Sequence, residues 1–349
     1  MDLEIFSALM PIITIPPPDP TVFFNQLLTL LLILVRPPPD PLLDIRHRLF
    51  GESVWEGRDV FKLFAAHRYE FYRATGETPE TMIRIINTLG ERMHRNSNRG
   101  RPNKLSPRNR IMITMLWLKT YPCYFMLSLL FDVSSFVVSS TINKIIPLLW
   151  EAYSPEVEWP TLNEWLSLRH GWPQLPNALG AIDGTSHPIY RPQNEPQEQF
   201  YSGHRHMHCI HTQVLVDNQN LIRLIRSGFL GHQNDAQQFN SLPQIGYGLP
   251  LIFPEDCFIL ADKIYANKYP IVTPFKRQQL RAKPRRERRK SRKVNRRIGE
   301  CRVYVEHAIR KLKGYRVLGT MWRHPRWKIN QIVELCAGLV ERRHELFYL

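Results

Sequence analysis

Asp183 and Asp262 share a setting that suggests chemistry. Asp183 ends the apolar run Leu179-Gly-Ala-Ile182, and Asp262 ends Cys257-Phe-Ile-Leu-Ala261. Such runs read as short buried strands. If the two strands lie side by side, both carboxylates emerge at one sheet edge. Like charges held that close repel, and the pair needs a compensating cation. Mg2+ (or Mn2+) binds carboxylate oxygens and keeps several waters, which suits phosphodiester chemistry. Two such ions about 4 Å apart can activate an attacking oxygen and stabilise a leaving one.

A third acid is expected from elsewhere, and Glu306 is the best placed. It sits beside the stripe Val305, Ile309 and Leu312 in a helix over Arg302–Lys313, with Arg302 and Arg310 one turn either side. Spacing alone favours an ion pair with those arginines on a solvated face. Asp217 opens Asp217-Asn-Gln-Asn220, a turn where Asp bonds its own backbone. Asp235, in Gly231-His-Gln-Asn-Asp235, reads as a helix N-cap, with an approach to the metal ions as the alternative.

The charge points to a polyanion. The 349 residues carry a net +16, which suits nucleic acid or an anionic membrane. Most of that excess is local. Lys276, Arg277, Arg281, Lys283, Arg285, Arg286, Arg288, Arg289, Lys290, Arg292, Lys293, Arg296 and Arg297 face one acid, Glu287, so the segment 276–297 holds +12. It lies between the second and third acids, where phosphate contacts are expected, continued by Arg310 and Lys313. The same density suits import into the nucleus.

Five scattered cysteines form no CxxC pair. They make neither a disulfide framework nor a zinc ribbon and fit a reducing compartment. His204, His206, His208 and His211 alternate, so three at period two would share a strand face. Phosphate contact or packing is favoured there over zinc. The start of the chain lacks the basic region of a signal peptide. Phe23–Val35 is apolar but shorter than the roughly 20 residues of a membrane helix. It reads as a buried or partner-facing helix, and no membrane partner is expected.

These residues need elements to position them. Residues 1–57 read as a Pro/Leu-rich extension, with Pro-Pro-Pro-Asp-Pro at 16–20 and 37–41. Residues 58–155 read as helical. Thr78-Pro79 and Ser106-Pro107 are cap-plus-proline starts. Met82, Ile85, Ile86, Leu89 and Met93 form a stripe, 96–103 a loop, and Ile111–Leu118 a buried helix. Tyr124–Phe131, the turn Asp132-Val-Ser-Ser135 and Phe136–Leu149 give a helix-turn-helix pattern. Its second helix offers Ser135, Ser139, Asn143 and Lys144 to DNA, although helical bundles contain such pairs without a DNA role. Residues 156–349 read as a mixed α/β domain. Its strands fall at Leu179–Asp183, Cys209–Val216, Leu221–Phe229 and Cys257–Asp262. Gly314 is placed to cap the helix that ends at Lys313.

Several stretches resemble the PIF/Harbinger-like transposases and the nuclease-like proteins derived from them. They are Gly180-Ala-Ile-Asp-Gly-Thr185, Phe200-Tyr-Ser-Gly-His204, His211-Thr-Gln-Val-Leu-Val-Asp217, Ile259-Leu-Ala-Asp-Lys-Ile-Tyr265, Thr273-Pro-Phe275 and Val305-Glu-His-Ala-Ile-Arg-Lys-Leu-Lys313. Leu105-Ser-Pro-Arg-Asn109 and Leu116-Trp-Leu-Lys-Thr-Tyr-Pro122 look like that family's leader. The likeness runs from Arg58 to Gly319. It implies an RNase H-like α/β domain after an all-α helix-turn-helix domain, and a triad of Asp183, Asp262 and Glu306 on two Mg2+ (or Mn2+) ions. It thereby favours a catalytic Glu306 over an ion pair. Ala261 and Lys263 stand where many relatives have Gly and Ser. The function implied is cut-and-paste transposition on double-stranded DNA, at terminal inverted repeats and target sites. The implied assembly is a homo-oligomer, often with a Myb-like partner. The alternative is a domesticated, catalytically silent DNA-binding protein.

Overall fold

The computed structural model describes residues 59–94, 105–248 and 250–346. The Pro-rich repeats, Phe23–Val35 and the expected loop at 96–103 lie outside the described residues.

Among the described residues six helices come first: α1 Val60–Ala65, α2 Arg68–Thr75, α3 Pro79–His94, α4 Pro107–Thr120, α5 Tyr124–Phe131 and α6 Ser135–Tyr153. The cap residues do what their chemistry allows. The Thr81 N–H donates to Thr78 Oγ1 at 3.2 Å, and the Asn109 N–H to Ser106 Oγ at 3.2 Å. Met82, Ile85, Leu89 and Met93 turn one face of α3 into the core. Ile111 to Leu118 are buried all round, which makes α4 the central helix. Asp132, at φ 54, ends α5, and Ser134 caps α6. The chain bends by 102° between the two helices. Ser135 Oγ donates to Ser128 Oγ at 3.4 Å and ties them together. Among the described residues no single helix is long and apolar enough to cross a membrane.

The strands are β1 Ala178–Pro188, β2 Tyr201–Ser202, β3 Met207–Asp217, β4 Ile222–Leu230, β5 Phe258–Leu260 and β6 Ile271–Val272. They form one mixed sheet in the order β2-β3-β1-β5-β6, with β4 also against β3. The β1–β3 and β3–β4 pairs are antiparallel, whereas β1–β5 and β5–β6 are parallel. The β3–β4 turn works as expected. Asp217 Oδ1 accepts from the N–H groups of Gln219 and Leu221, and Oδ2 from Arg223 Nε at 2.6 Å.

Helices α7 Leu162–Ser167, α8 Gln197–Phe200, α9 Asp235–Phe239, α10 Arg277–Arg281, α11 Arg285–Lys313, α12 Arg316–Gly319 and α13 Ile329–Leu346 complete the fold. The expected helix over Arg302–Lys313 begins 17 residues earlier and takes in most of the basic run. Ser291, Ile298, Cys301, Val305, Ala308 and Leu312 are its buried stripe. Ala308 holds the core position expected of Ile309, which is half-buried. Gly314 follows the helix at φ −62, so the helix ends without a left-handed turn.

Alternation along the strands splits the interior in two. Leu179, Ile182, Leu215 and Ile259 pack with Trp165, Phe239 and Tyr265 on one face. Ala181, Val214, Val216 and Leu260 pack with α11 and α13 on the other. This second core continues without a break into α3, α4 and α6. The junction expected near residue 155 is therefore crossed by shared packing.

Candidate active site

The parallel pairing of β1 with β5 brings two acids together. Ala181 lies opposite Leu260, so Asp183 and Asp262 each sit two residues past a matched pair. Alternation turns both toward the face covered by α11. Asp183 does not end its strand, because β1 runs on to Pro188 against β3. It sits instead where its parallel neighbour stops. The carboxyl ends of parallel strands are where open α/β sheets bind ligands.

Arg302 reaches into this notch from α11. Its Nη2 lies 3.1 Å from Asp183 Oδ2 and its Nη1 3.6 Å from Asp262 Oδ1. The Arg302 side chain is 14% exposed, and its Nε has no hydrogen-bond partner. One guanidinium thus bridges both acids. Burial nevertheless pushes the Asp183 carboxyl up to about 6. Arg302 and the Gly184 N–H, 2.9 Å from Asp183 Oδ1, pull it down, while the charges of Asp235 and Asp262 push it up. The notch still lacks positive charge.

Glu306 lies one turn beyond Arg302 on α11 and is exposed. Arg302 spends its guanidinium on the aspartates, and Glu306 forms no ion pair among the described residues. No group of three His, Cys, Asp or Glu side chains among the described residues could hold a metal ion. The donor chemistry of the pair nonetheless fits a divalent cation. Two hard carboxylates from adjacent strands converge on one cationic group, Arg302.

Asp235 is not the N-cap that its sequence context suggests. Asn234 takes that role, accepting from the Gln237 N–H at 2.9 Å. Asp235 turns inward, and its Oδ1 accepts from Gln213 Nε2 at 3.2 Å. A Cβ placed on Gly184 would lie 2.1 Å from that same oxygen. Sequence gave little sign of this, since an Asp beside an Asn cap is ordinary first-turn chemistry.

The histidines do not form a face. Strand β3 starts only at Met207, so His204 and His206 fall in the preceding turn. His208 packs edge-on against the Tyr201 ring. His211 is buried, with its ring nitrogens 3.0 Å from Ser186 Oγ and from the Gly231 carbonyl. Packing accounts for it.

The basic segment is a helical hairpin. Asn295 on α11 accepts from the Phe275 N–H and donates to the Phe275 carbonyl, which fixes the approach to α10. Lys283 lies 4.0 Å over the Phe275 ring and donates to Ser291 Oγ. Ten of the thirteen basic residues of 276–297 are exposed, with Lys283, Arg288 and Arg297 half-buried. Arg310 is exposed, and Lys313 is half-buried. On α6, Ser135, Asn143 and Lys144 are exposed and Ser139 half-buried. Asn143 Oδ1 accepts from Lys328 Nζ at 2.6 Å, so the segment before α13 meets the exposed side of α6.

Residues 182–341 match the family model described as DDE superfamily endonuclease. That stretch holds β1 from Ile182 onward, both aspartates and all of α11, and its mixed sheet flanked by helices is consistent with such a nuclease. The chain is also 25% identical over 275 residues to a protein of Microchaete diplosiphon named as a probable transposase for insertion sequence element IS702. The alignment covers 77% of this chain and 92% of that protein. No solved structure gives a match.

Proposed function

We propose that this protein is a DDE transposase related to the PIF/Harbinger-like group, which cuts DNA at terminal inverted repeats and joins it to target DNA in the nucleus. The observation that carries the reading is the convergence of Asp183 and Asp262 on one cationic group, inside the segment that matches an endonuclease family. Asp183, Asp262 and Glu306 form the triad. The two aspartates would hold Mg2+ (or Mn2+), and Glu306, one turn beyond Arg302 on α11, would complete the set. Divalent ions bound there supply positive charge to the attacked phosphate and to its entering and leaving oxygens. With such ions bound, Arg302 would yield its bridge to Asp183 and Asp262. Hydrolysis of a phosphodiester frees a 3′ hydroxyl, which then attacks a target-strand phosphodiester and displaces that strand's 3′ oxygen.

Helices α10 and α11 grip the phosphate backbone, and α6 lies in the major groove with Ser135, Asn143 and Lys144 toward the bases. The working form is a homo-oligomer on paired ends, with room for a Myb-like partner.

Purified protein nicks duplex DNA carrying the element's terminal repeats in Mg2+ or Mn2+. Asp183→Asn, Asp262→Asn and Glu306→Gln each abolish nicking while DNA binding persists. Retained cleavage in any of the three sinks the triad. Binding with no cleavage by the unaltered protein leaves the silent, domesticated reading instead.

A further inference from the structure

Trp327 is a large apolar side chain that the fold holds out to solvent. Its indole is 75% exposed, on the single turn Arg326–Lys328 that precedes α13. The segment around it is fastened on both sides. Ile189, just past β1, bridges to Trp322, which is buried. Trp322 Nε1 donates to the Pro325 carbonyl at 3.3 Å. Beyond the indole, Lys328 Nζ donates to Asn143 Oδ1 on α6 at 2.6 Å, and Ile329 is buried. A flat ring is thus presented from a pinned backbone, so little freedom is lost when it meets a ligand.

The surroundings define that ligand. Residues 320–330 contain Arg323, Arg326 and Lys328 and no acid. Arg326 pairs with Glu195, whereas Arg323 and Lys328 form no ion pair among the described residues. Lys328 Nζ lies 5.1 Å from the centre of the Trp327 ring. Beside the ring opens a groove of about 540 Å³, walled by Phe200, Ile210, Pro325 and Ile329. That is room enough for a planar heterocycle. Asn143, which anchors Lys328, is itself one of the α6 residues assigned to DNA. The bridge at Ile189 stands roughly 20 Å along β1 from Asp183 by strand rise. A second copy would press the same cations against these, and an apolar protein segment would leave them unanswered. A nucleic acid strand supplies both a ring to stack and phosphates for the cations.

We propose that Trp327 is a stacking platform for an unpaired base of a DNA strand, with Arg323 and Lys328 on the flanking phosphates. Cut or frayed DNA ends expose such bases. The inference rests on the DNA-binding reading above.

The test compares two short single-stranded DNAs of equal length, one with bases and one abasic throughout, by fluorescence anisotropy on the full chain. The unaltered protein prefers the base-bearing strand. Trp327→Ala weakens that complex by about tenfold, within the range for losing one base stack, with the abasic complex and the melting temperature unchanged. Trp327→Phe keeps most of the preference, because it retains an aromatic face. Trp327→Leu keeps apolar bulk without that face and loses the preference. It serves as the second measurement should Trp327→Ala fail to fold. Lys328→Gln lowers the log–log salt slope by about 0.7 on both strands. Full affinity for the base-bearing strand in Trp327→Ala or Trp327→Leu overturns the proposal, as does an equal loss on both strands. Light scattering runs in parallel, and an oligomer that dissociates in Trp327→Ala gives the surface to a second copy and overturns the platform. If the unaltered protein binds no DNA of any form, the DNA-binding reading fails and this inference with it.

Discussion

Asp183 is more deeply buried than its single arginine can offset, and this sets how the site responds to pH. Its carboxyl titrates near 6 in the fold, above the ordinary value of 3.8. The raised value means that the protonated form is favoured. This group's contribution to metal-free stability is complete below about pH 4 and is lost as pH rises through 6. A metal ion needs the ionised form. The rise in melting temperature caused by Mn2+ should therefore be large at pH 7.5 and shrink as pH falls through about 6. An equal rise at pH 5 and pH 7.5 counts against Asp183 as a ligand. At the same scale, Arg302 explains why Glu306 makes no ion pair with it: its fork is already committed to two acids.

Among the elements, α11 does most to join the basic segment to the two aspartates. At about 1.5 Å per residue, roughly 25 Å of continuous helix separates Arg285 from Arg302. The basic side chains at one end are thus carried on the same helix as the arginine that bridges the aspartates. Gly299 is a weak point in this rod. A Cβ there would meet nothing within 4 Å. Gly299→Ala should stabilise the protein by about 0.5–1 kcal/mol in urea unfolding, by removing backbone freedom from the unfolded chain.

Helix α13 carries a different liability. Burial raises the Glu341 carboxyl to about 7, against an opposing hydrogen bond from Ile222. Its contribution to stability is present below about 4.5 and lost as pH rises through 7. The advantage of Glu341→Gln over the unaltered protein should then grow by about 1–2 kcal/mol between pH 5 and pH 8. A constant difference across that range refutes the assignment.

For the whole molecule, charge and packing combine. Three quarters of the net positive charge lies in 276–297, on two helices whose basic side chains are mostly exposed. Affinity for DNA should fall steeply with salt. Changing Arg285, Arg286, Arg289 and Lys290 to Gln should flatten the log–log slope by roughly 3–4, since each lost phosphate contact is worth about 0.9. An unchanged slope places the phosphate grip elsewhere. The shared core under α3, α4, α6 and α13 means that α6 and the two aspartates belong to one packed body.

The sequence by itself determined what depends on local pattern. Caps at Thr78 and Ser106, the stripe of α3, the α5–α6 turn and the apolar strand that leads into each aspartate follow from periodicity and turn chemistry, which act over a few residues. The basic charge and its position were also legible, because charge needs no fold to be counted. The length of α11 was not, since Arg and Lys are good helix formers yet a run of like charge reads as solvated chain. The fate of Arg302 and Asp235 was decided only by tertiary structure. Arg302 meets Asp183 and Asp262 because a parallel pairing of distant strands aligns them under one helix. Asp235 lies against Gly184 because strand alternation and a missing side chain open that space. These contacts join residues 40 or more positions apart, and no local pattern records them.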